Sequence, residues 1–455
     1  MNQDVAIILA AGKSKRMKTR KPKVLHDLFG RPLIDYVVEA VEGAGIKKIF
    51  LVVGYEMEKV KEHLEGRVTF VEQRELLGTG HAVQQVAPHL EGYKGDALIL
   101  CGDMPLISKD ILKDFISFHK GDKEHTLSLL TTIMTWETDF GRIVRSEGGD
   151  VMRIVEYRDA TPEERAIREV NLSIYLFNIP HLLSVLPRIG LPNVQKELYL
   201  TDTVYLTSQD GKAVQAHICH DAEASRGINS RHDLADLREI MRRRIIDAHM
   251  DNGVTFTDPA SCTVDPDVKI GMDTIVHPFT FIEKNTVIGE DCIIGPFSRL
   301  VESKIGSRVT VNSSIVLESS VGDDSTIGPY AYVRPANSIG SHVKIGDFVE
   351  LKKSTIGDYS KVPHLSYVGD ATIGREVNIG AGTITCNYDG VRKHRTFVDD
   401  GAHIGSNTNL VAPVKIGKNV VTGAGAVVTD DLPDNSVAVG VPAKVIKTMQ
   451  TLKEH

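Results

Sequence analysis

The sequence has little tryptophan, no paired cysteines, no excess of basic residues and no long apolar run. Of 455 residues, one is Trp and five are Cys, and the cysteines are odd in number and widely spaced, with no Cys-x-x-Cys. This pattern excludes a disulfide framework and a zinc ribbon, and is typical of a protein of the reducing cytoplasm. Lys and Arg total 53 against 60 Asp and Glu, a net charge of −7, which disfavours a nucleic-acid or membrane-surface binder. Without 18 consecutive apolar residues or an export signal, neither a membrane span nor secretion is expected.

The chain changes character near residue 250. Before that point, short apolar runs such as Val5 to Ala10 and Asp96 to Cys101 alternate with segments of helical period. Apolar strands separated by helices predict a Rossmann-like α/β domain with a mainly parallel sheet. We expect this domain to span residues 1–229 and a connecting helix to span 230–250. A second domain then covers residues 251–455.

The second domain carries an internal repeat. From Cys262 onwards there are eighteen isoleucines, and twelve of them are followed directly by Gly. The separations between successive Ile-Gly pairs range from 6 to 25 residues and mostly fall on or next to a multiple of six. This predicts a parallel β-helix in which three hexapeptides make one coil and the inward aliphatic residues stack along the axis. A β-sandwich, the alternative, imposes no such period, and resemblance to hexapeptide-repeat proteins implies a left-handed helix.

A basic, glycine-containing loop follows the first predicted strand, in the segment LAAGKSKRMKTRKPKVL. Backbone N–H groups at such a loop, with Lys13, Arg16 and Lys23, suit a triphosphate. The loop lacks both the P-loop pattern and the three-glycine dinucleotide fingerprint. The alternative interpretation is a solvated basic loop.

Two further motifs favour a nucleotide site, and the first lies where ligands of open α/β sheets bind. Asp103, in LILCGDMPLI, comes just after an apolar strand and could hold Mg²⁺ against phosphate oxygens, although a strand-end Gly-Asp taken alone is more often a turn. The segment LLGTGHA, Leu76 to Ala82, is a second glycine-rich loop suited to close contact with a base. Together with the first loop, these motifs indicate a nucleotide site.

The repeat region places two cations one coil apart. Arg334 and Lys352 are 18 residues apart in sequence, so we expect them to stack on one face, about 5 Å apart along the axis. A sugar phosphate between them would offset their repulsion, and pairing with Glu350 or Asp347 is the alternative. His364 could meet them around a shared corner or across a groove between subunits, and a neutral imidazole there could accept a proton from an attacking amine.

These motifs carry a family resemblance over essentially the full length. LAAGK, LGTGHA, GDMPLI and GRI, followed by GDFVELKK, HLSYVGD, NIGAGTITCNYDG, GSNTNLVAP and GVPAK, resemble the bifunctional N-acetylglucosamine-1-phosphate uridyltransferases and glucosamine-1-phosphate N-acetyltransferases. The resemblance implies two activities for cell-envelope precursor synthesis: acetylation of glucosamine 1-phosphate by acetyl-CoA, and transfer of UMP from UTP to N-acetylglucosamine 1-phosphate. It also implies Mg²⁺, a homotrimer, and no zinc.

The resemblance also implies roles for residues of the first domain. The uridine nucleotide would be held by Leu9, Ala10, Gly12, Gln73, Gly78 and Thr79. Its phosphates would contact Arg16 and Lys23, the residues expected to assist the chemistry. The amino sugar would be bound by Gly141, Glu156 and Asn171, and Mg²⁺ by Asp103 and Asn229. The sequence departs from the usual pattern at Ser14-Lys15 and at Cys101, where the family often has Gly-Thr and an aromatic residue.

In the second domain, His364 would be the base of acetyl transfer. Glucosamine 1-phosphate would be bound by Arg334, Lys352, Tyr367, Asn378 and Lys393. Acetyl-CoA would be bound by Asn387, Tyr388, Ser406, Ala424 and Lys444, with Lys447 as the alternative to Lys444 near the C-terminus.

Two other function classes compete with this interpretation. Some hexapeptide β-helices are zinc hydratases with histidines from adjoining subunits, but His342, His364, His394 and His403 do not share a coil-related spacing. The other competitor is a sugar-phosphate nucleotidyltransferase whose β-helix serves only assembly or regulation. The set of Arg334, Lys352 and His364 argues against it.

Overall fold

The computed structural model describes residues 3–12, 15–121, 126–136, 138–190, 193 and 195–449. The chain divides into two compact units, Met1–Glu239 and Ile240–His455. The division falls within the helix Arg231–Asp251, which begins and ends one residue later than the connecting helix expected at 230–250.

The first unit is built on a mixed, mainly parallel sheet. Its strands lie in the order Val214–Ile218, Leu127–Ile133, Glu169–Asn178, Asp96–Cys101, Val5–Leu9, Lys48–Val53 and Thr69–Glu72. Only Glu169–Asn178 runs antiparallel to its neighbours along this described path. The strands Arg142–Arg145 and Val151–Val155 form a hairpin beside it. The α/β prediction is therefore confirmed.

Helices cover the sheet because their apolar positions recur at helical spacing. In Leu33–Gly43, for example, Leu33, Ile34, Val37, Val38 and Val41 are buried. The α-helices of the unit are Leu33–Gly43, Met57–His63, Thr79–Gln84, Lys109–Gly121, Pro162–Arg165, Ile179–Val185, Asp202–Gln209 and the start of Arg231–Asp251. Short 3₁₀ turns lie at Lys15–Met17, Lys23–Leu25, Ala87–Leu90 and Leu186–Arg188, and a small hairpin pairs Asp27–Leu28 with Arg31–Pro32.

The second unit is a parallel β-helix with three faces in the described residues, as the hexapeptide period predicts. After a 3₁₀ turn at Pro259–Ser261, the coils repeat one strand per face. The first face holds Thr255–Phe256, Ile275–Val276, Ile293–Ile294, Thr310–Val311, Thr326–Ile327, Lys344–Asp347, Lys361–His364, Asn378–Ile379, His403–Ile404, Val421–Thr422, Ser436–Gly440 and Ala443–Thr448. The second face holds Thr263–Val264, Phe281–Glu283, Arg299–Val301, Ile315–Leu317, Tyr332–Val333, Glu350–Lys352, Tyr367–Gly369, Ile384–Cys386, Asn409–Val411 and Val427–Val428. The third face holds Lys269–Ile270, Val287–Ile288, Lys304–Ile305, Ser320–Val321, Ser338–Ile339, Thr355–Ile356, Ala371–Ile373, Thr396–Val398 and Val414–Ile416.

Stacked aliphatic residues form the core of the β-helix. On the first face, Ile327, Ile345, Val362 and Ile379 lie in one column, and each is at most 1% exposed. Each such residue contributes about 1.5–3 kcal/mol on burial. Because one coil alone cannot bury this column, stability depends on stacking.

In ten of the twelve Ile-Gly pairs, the glycine makes room for the next coil. A β-carbon on Gly340 would lie 2.4 Å from Asp358 Oδ1. That oxygen accepts a hydrogen bond from Ser341 N at 3.0 Å. The carboxylate therefore occupies the space that a side chain would need, which explains the dipeptide physically.

One loop interrupts the period. Between the strands Ile384–Cys386 and Thr396–Val398, the chain leaves the prism and returns through a bridge that pairs Tyr388 with Lys393. Asp389 stabilises the loop by accepting hydrogen bonds from the backbone N–H groups of Val391 and Arg392, at 2.7 and 2.6 Å. This loop accounts for the 25-residue gap between Ile-Gly pairs. In the described part of the chain, no helix has the length and apolar character required to cross a bilayer.

Candidate active sites

A cavity of about 630 Å³ opens at the carboxyl ends of the central parallel strands of the first unit. Leu9 and Cys101, the last residues of two strands, are partners in register there. The predicted nucleotide residues that line this cavity are Leu9, Ala10, Gly12, Lys23, Gln73, Gly78 and Thr79, together with Asp103. The structure therefore brings residues from four separate segments to one place.

The glycine-rich loop of this cavity is held rigidly. Gly78 has φ +109°, and a β-carbon there would lie 2.6 Å from the carbonyl oxygen of Leu198, so only glycine fits. Gln73, 4% exposed, donates from Nε2 to the carbonyl oxygen of Gly78 at 3.2 Å. Thr79 Oγ1 accepts from Leu200 N at 3.1 Å. These contacts define the conformation of the loop at the rim of the cavity.

Two side-chain oxygens converge on the ammonium group of Lys23, which lines the cavity together with Asp103. Lys23 Nζ forms an ion pair with Asp103 Oδ2 and donates to Asn229 Oδ1 at 3.3 Å. The side chains of Lys23 and Asp103 are 19% and 14% exposed. The predicted metal residues are therefore adjacent to each other and to the predicted phosphate-binding lysine.

Arg16 is placed differently from Lys23. It is exposed and lines a neighbouring pocket of about 440 Å³ with Trp136, Arg226 and Asn229. The structure therefore brings Arg16 near Asn229 but not into the lining of the larger cavity. Lys13 and Ser14 lie outside the described residues.

A smaller cavity of about 250 Å³ shares Leu9, Thr79 and Cys101 with the first and reaches Glu156. Asn171 N donates to the carbonyl oxygen of Gly141 at 2.9 Å. A β-carbon on Gly141 would lie 3.6 Å from Glu156 Oε2. The three predicted sugar residues are therefore neighbours.

Burial controls protonation in this smaller cavity. It raises the pKa of Glu156, a shift that a hydrogen bond from Thr201 Oγ1 at 3.1 Å opposes. Burial also raises the pKa of the Cys101 thiol to about 12. Cys101 is therefore protonated at neutral pH and is no nucleophile.

In the β-helix, Arg334 and Lys352 have the register that their spacing predicted. Val333 pairs with Leu351, and Arg334 N donates to the carbonyl oxygen of Leu351 at 2.9 Å. Each cation has a carboxylate beside it, and the sugar phosphate expected between the two cations stays a prediction. Arg334 donates to Glu350 at 2.9 Å, the alternative considered above, and Lys352 Nζ lies 3.3 Å from Asp370 Oδ2.

Further predicted residues surround Lys352. Asn387 Nδ2 donates to Asp370 Oδ2 at 2.6 Å and lies 3.5 Å from the hydroxyl of Tyr367. Lys393 approaches from the loop described above, and its hydrogen bond with Lys352 and the charge of that lysine lower the pKa of Lys393. Arg334, Lys352, Tyr367, Asn387 and Lys393 thus form one cluster on the second face, here called the cation cluster.

His364 lies at the corner next to the cation cluster. It ends a first-face strand, and Tyr367 begins the second-face strand after a corner at Leu365, which has φ +45°. Its Nδ1 lies 2.5 Å from Asp347 Oδ1. Tyr367 therefore shares this corner with His364, whereas Arg334 follows and Lys352 ends its second-face strand, at the far end of that face.

The remaining predicted residues are more dispersed. Asn378 lies on the first face between Lys361 and His403, apart from the cation cluster. Ser406 and Ala424 follow successive first-face strands, and Gly425 N donates to the carbonyl oxygen of Ser406 at 2.8 Å.

Two of the predicted coenzyme contacts project from the prism. Tyr388 is 60% exposed, and its hydroxyl donates to the carbonyl oxygen of Gly390 at 2.6 Å. Lys444 is exposed on the last strand, with Nζ 3.8 Å from Asp430 Oδ2. Lys447, the alternative to Lys444, lies on the same strand as Lys444 and pairs with Val437 of the preceding strand. The structure brings neither Tyr388 nor Lys444 into contact with Ser406 among the contacts of the described residues.

Comparison with known proteins identifies both units. Residues 6–131 match the family of MobA-like NTP transferase domains, and residues 260–301 match the bacterial transferase hexapeptide of six repeats. A protein of Acetivibrio thermocellus named bifunctional protein GlmU is 46% identical over 99% of this chain and 96% of its own. The protein of the same name from Pelotomaculum thermopropionicum is 51% identical over 90% of each chain. That of Brevibacillus brevis is 45% identical over 98% and 97%.

The chain belongs to the GlmU family. The family resemblance inferred from the sequence is therefore confirmed, and with it the order of the two domains.

For this GlmU family member, sequence reasoning missed the carboxylates beside the cations. Asp370 lies 18 residues after Lys352, the same spacing that linked Lys352 to Arg334. A step of 18 residues points to Asp370, but this coil is one residue shorter and pairs Lys352 with Gly369. Asp347 was considered as a partner for the cations, but it lies beside His364 instead.

Proposed function

We propose that this chain catalyses both GlmU reactions, one in each unit. It acetylates glucosamine 1-phosphate with acetyl-CoA, and it transfers UMP from UTP to N-acetylglucosamine 1-phosphate, releasing pyrophosphate. The observation that carries the proposal is that each unit gathers its own set of predicted site residues. The assembly-only β-helix is disfavoured because it has no need of a cation cluster beside a histidine.

In uridyl transfer, a phosphate oxygen of the sugar attacks the α-phosphorus of UTP. The new P–O bond replaces the bond to the β-phosphate, and pyrophosphate leaves. Such transfer depends mainly on positioning and charge neutralisation. Gln73, Gly78 and Thr79 would hold the base, while Lys23 and Arg16 would contact the phosphates.

We also propose that Asp103 and Asn229 hold Mg²⁺. Their oxygens fit the ion because both already converge on the Lys23 ammonium. Magnesium favours one or two protein oxygens plus substrate phosphates over a closed protein cage. The described residues contain no cluster of three or more His, Cys, Asp or Glu that could hold a metal, so the proposal rests on Asp103 and Asn229. The bound ion would neutralise charge on the triphosphate.

In acetyl transfer, the amine of glucosamine 1-phosphate attacks the carbonyl carbon of acetyl-CoA. The N–C bond forms, the C–S bond breaks, and His364 takes the proton that the amine loses. The thiolate of coenzyme A leaves and takes that proton. The cation cluster would hold the sugar phosphate, with Asn378 as a further contact. Asn387, Tyr388, Ser406, Ala424 and Lys444 would hold the coenzyme.

We expect a cytoplasmic homotrimer. Large apolar side chains stack outside the prism at one corner, where Phe279 and Phe297 lie 5.1 Å apart between ring centroids and Tyr330 and Phe348 lie 5.5 Å apart. These rings are 51–65% exposed, and exposed apolar patches of this kind mark association surfaces. Light scattering should give three times the chain mass of 49.9 kDa. None of the five cysteines forms a disulfide among the described residues, as suits a reducing compartment.

An omission assay on the wild-type protein tests the proposed function. With glucosamine 1-phosphate, acetyl-CoA, UTP and Mg²⁺, the product should be UDP-N-acetylglucosamine and pyrophosphate. Without acetyl-CoA, product should form only when N-acetylglucosamine 1-phosphate replaces glucosamine 1-phosphate. Uridyl transfer without any acetyl transfer would support the assembly-only β-helix instead, and stoichiometric zinc in purified protein would support a hydratase.

A further inference from the structure

The two strands that carry Asp347 and His364 are longer than their neighbours. Lys344–Asp347 and Lys361–His364 have four residues each, whereas the flanking first-face strands Thr326–Ile327 and Asn378–Ile379 have two. The extra pairing places Asp347 directly opposite His364. The fold therefore holds these two side chains together by backbone register.

A glycine makes this register possible. A β-carbon on Gly346 would lie 1.8 Å from the carbonyl oxygen of Pro363 and 2.7 Å from its carbonyl carbon. Any side chain at position 346 would push the two strands apart at the point just before Asp347 and His364. The close approach of the backbones is thus a requirement of the dyad.

The contact defines the protonation of both partners. Nδ1 of His364 lies 2.5 Å from Oδ1 of Asp347. The hydrogen bond from His364 lowers the pKa of Asp347, so the carboxylate is ionised at neutral pH and can only accept. The proton of the neutral imidazole must then lie on Nδ1, which leaves the lone pair on Nε2.

The other carboxylate near this corner is engaged elsewhere. Glu350 accepts a hydrogen bond from Arg334 at 2.9 Å. The titratable groups on the strands that flank His364 are Lys344 and Asp347 on one side and Lys361 on its own strand, while the following strand begins with Asn378. Asp347 is therefore the carboxylate that acts on the imidazole.

We infer that Asp347 is a positioning residue for acetyl transfer, holding His364 in the Nδ1–H tautomer so that Nε2 receives the proton of the attacking amine. The inference rests on the proposed acetyltransferase function. The carboxylate also stabilises the imidazolium formed in that step, which falls back to neutral when the thiolate takes the proton. The His364 side chain is 52% exposed, so Nε2 is open to a substrate.

The test is the pH profile of Asp347→Asn measured on the full-length protein. Asparagine can accept from Nδ1–H or donate to Nδ1, so it no longer fixes the tautomer. We expect kcat for acetyl transfer to fall about 10- to 100-fold, with both KM values within about threefold of wild type. The acid limb of kcat/KM should move to lower pH because the imidazolium loses its carboxylate neighbour. Asp347→Glu, which keeps the charge, should recover part of kcat and the wild-type limb.

Two controls separate the possible failures. Asp324→Asn removes a carboxylate that lies 3.8 Å from His342 on the same β-helix and should leave acetyl transfer unchanged. Uridyl transfer should be retained in every variant and reports on folding of the first unit, while circular dichroism reports on folding of the β-helix. An unaltered kcat and pH profile in Asp347→Asn, with His364→Ala inactive, would overturn the inference and leave the proposed function standing. Full acetyl transfer by His364→Ala would overturn the proposed base itself.

Discussion

The two units gather cations beside carboxylates by different means. In the first unit, Lys23, Asp103 and Asn229 come from loops far apart in sequence and meet only because parallel strands end at one edge of a sheet. In the β-helix, Arg334 and Lys352 meet because one coil separates them. Sequence spacing therefore does not predict which residues meet at a sheet edge. In a β-helix, by contrast, residues one coil apart in sequence are neighbours in space.

A glycine packed against the next coil and a glycine in an open hairpin should therefore differ in their tolerance of an added methyl group. Gly346→Ala would force a β-carbon to within 1.8 Å of the Pro363 carbonyl oxygen, so we expect at least about 2 kcal/mol of destabilisation and loss of acetyl transfer. Gly148→Ala, in a hairpin of the first unit with its nearest atom at 3.6 Å, should change stability little. Urea unfolding and both assays measure this, and equal stability losses would contradict the contrast.

The cation cluster should depend more on its buried member than on its exposed one. The Lys352 side chain is 10% exposed and that of Arg334 is 39% exposed. We expect Lys352→Ala to raise KM for glucosamine 1-phosphate about 100-fold and Arg334→Ala about 10-fold, because charges out of water interact more strongly. The KM for acetyl-CoA serves as the internal reference. A larger increase in KM for Arg334→Ala than for Lys352→Ala would show that side-chain exposure does not determine how much each cation contributes to binding.

In the smaller cavity of the first unit, Glu156 should lower the stability of the protein at neutral pH and yet be needed for uridyl transfer. Burial raises the pKa of Glu156 above its unfolded value, so the stability that the carboxyl contributes at low pH is lost as the pH rises through the folded pKa. Glu156→Gln stays neutral, and its melting temperature relative to wild type should therefore rise between about pH 4 and pH 8. Uridyl transfer should fall in the same variant. If the difference in melting temperature between the variant and wild type did not change with pH, burial would not be disfavouring the ionised Glu156 carboxylate.

The smallest effect is expected for an exposed ion pair of the β-helix. Arg308 Nε lies 2.7 Å from Asp324 Oδ1, and the Arg308 side chain is 52% exposed. Solvent screens such pairs, so Arg308→Ala should shift the melting temperature by less than about 2 °C. Differential scanning calorimetry in low and high salt would check this. A large shift would indicate that the charged corners, and not the aliphatic columns, stabilise the coils.

Much of this architecture could be predicted from the sequence because it is periodic. The β-helix followed from Ile-Gly spacing, and the register of Arg334 with Lys352 followed from the length of a coil. The α/β sheet followed from its apolar runs, and the loops at Gly12 and Gly78 from their position after strands.

Side-chain partners were harder to predict. An ion pair depends on rotamers and on coil lengths that vary by a residue, so Asp370 was missed and Asp347 was considered for the wrong partner. The position of Arg16 in a separate pocket could not be predicted either, because a loop after a strand has no period. The position of Lys393 beside Lys352 could not be predicted from residue spacing either, because the length of the loop that carries Lys393 is not set by the repeat.

The central claim is that two independent sites operate in one chain, and two single variants test it most directly. Both activities should be measured in Asp103→Ala and in His364→Ala, with circular dichroism to show that each is folded. We predict that Asp103→Ala loses uridyl transfer and keeps acetyl transfer, and that His364→Ala shows the opposite. A folded variant that has lost both activities would contradict the account.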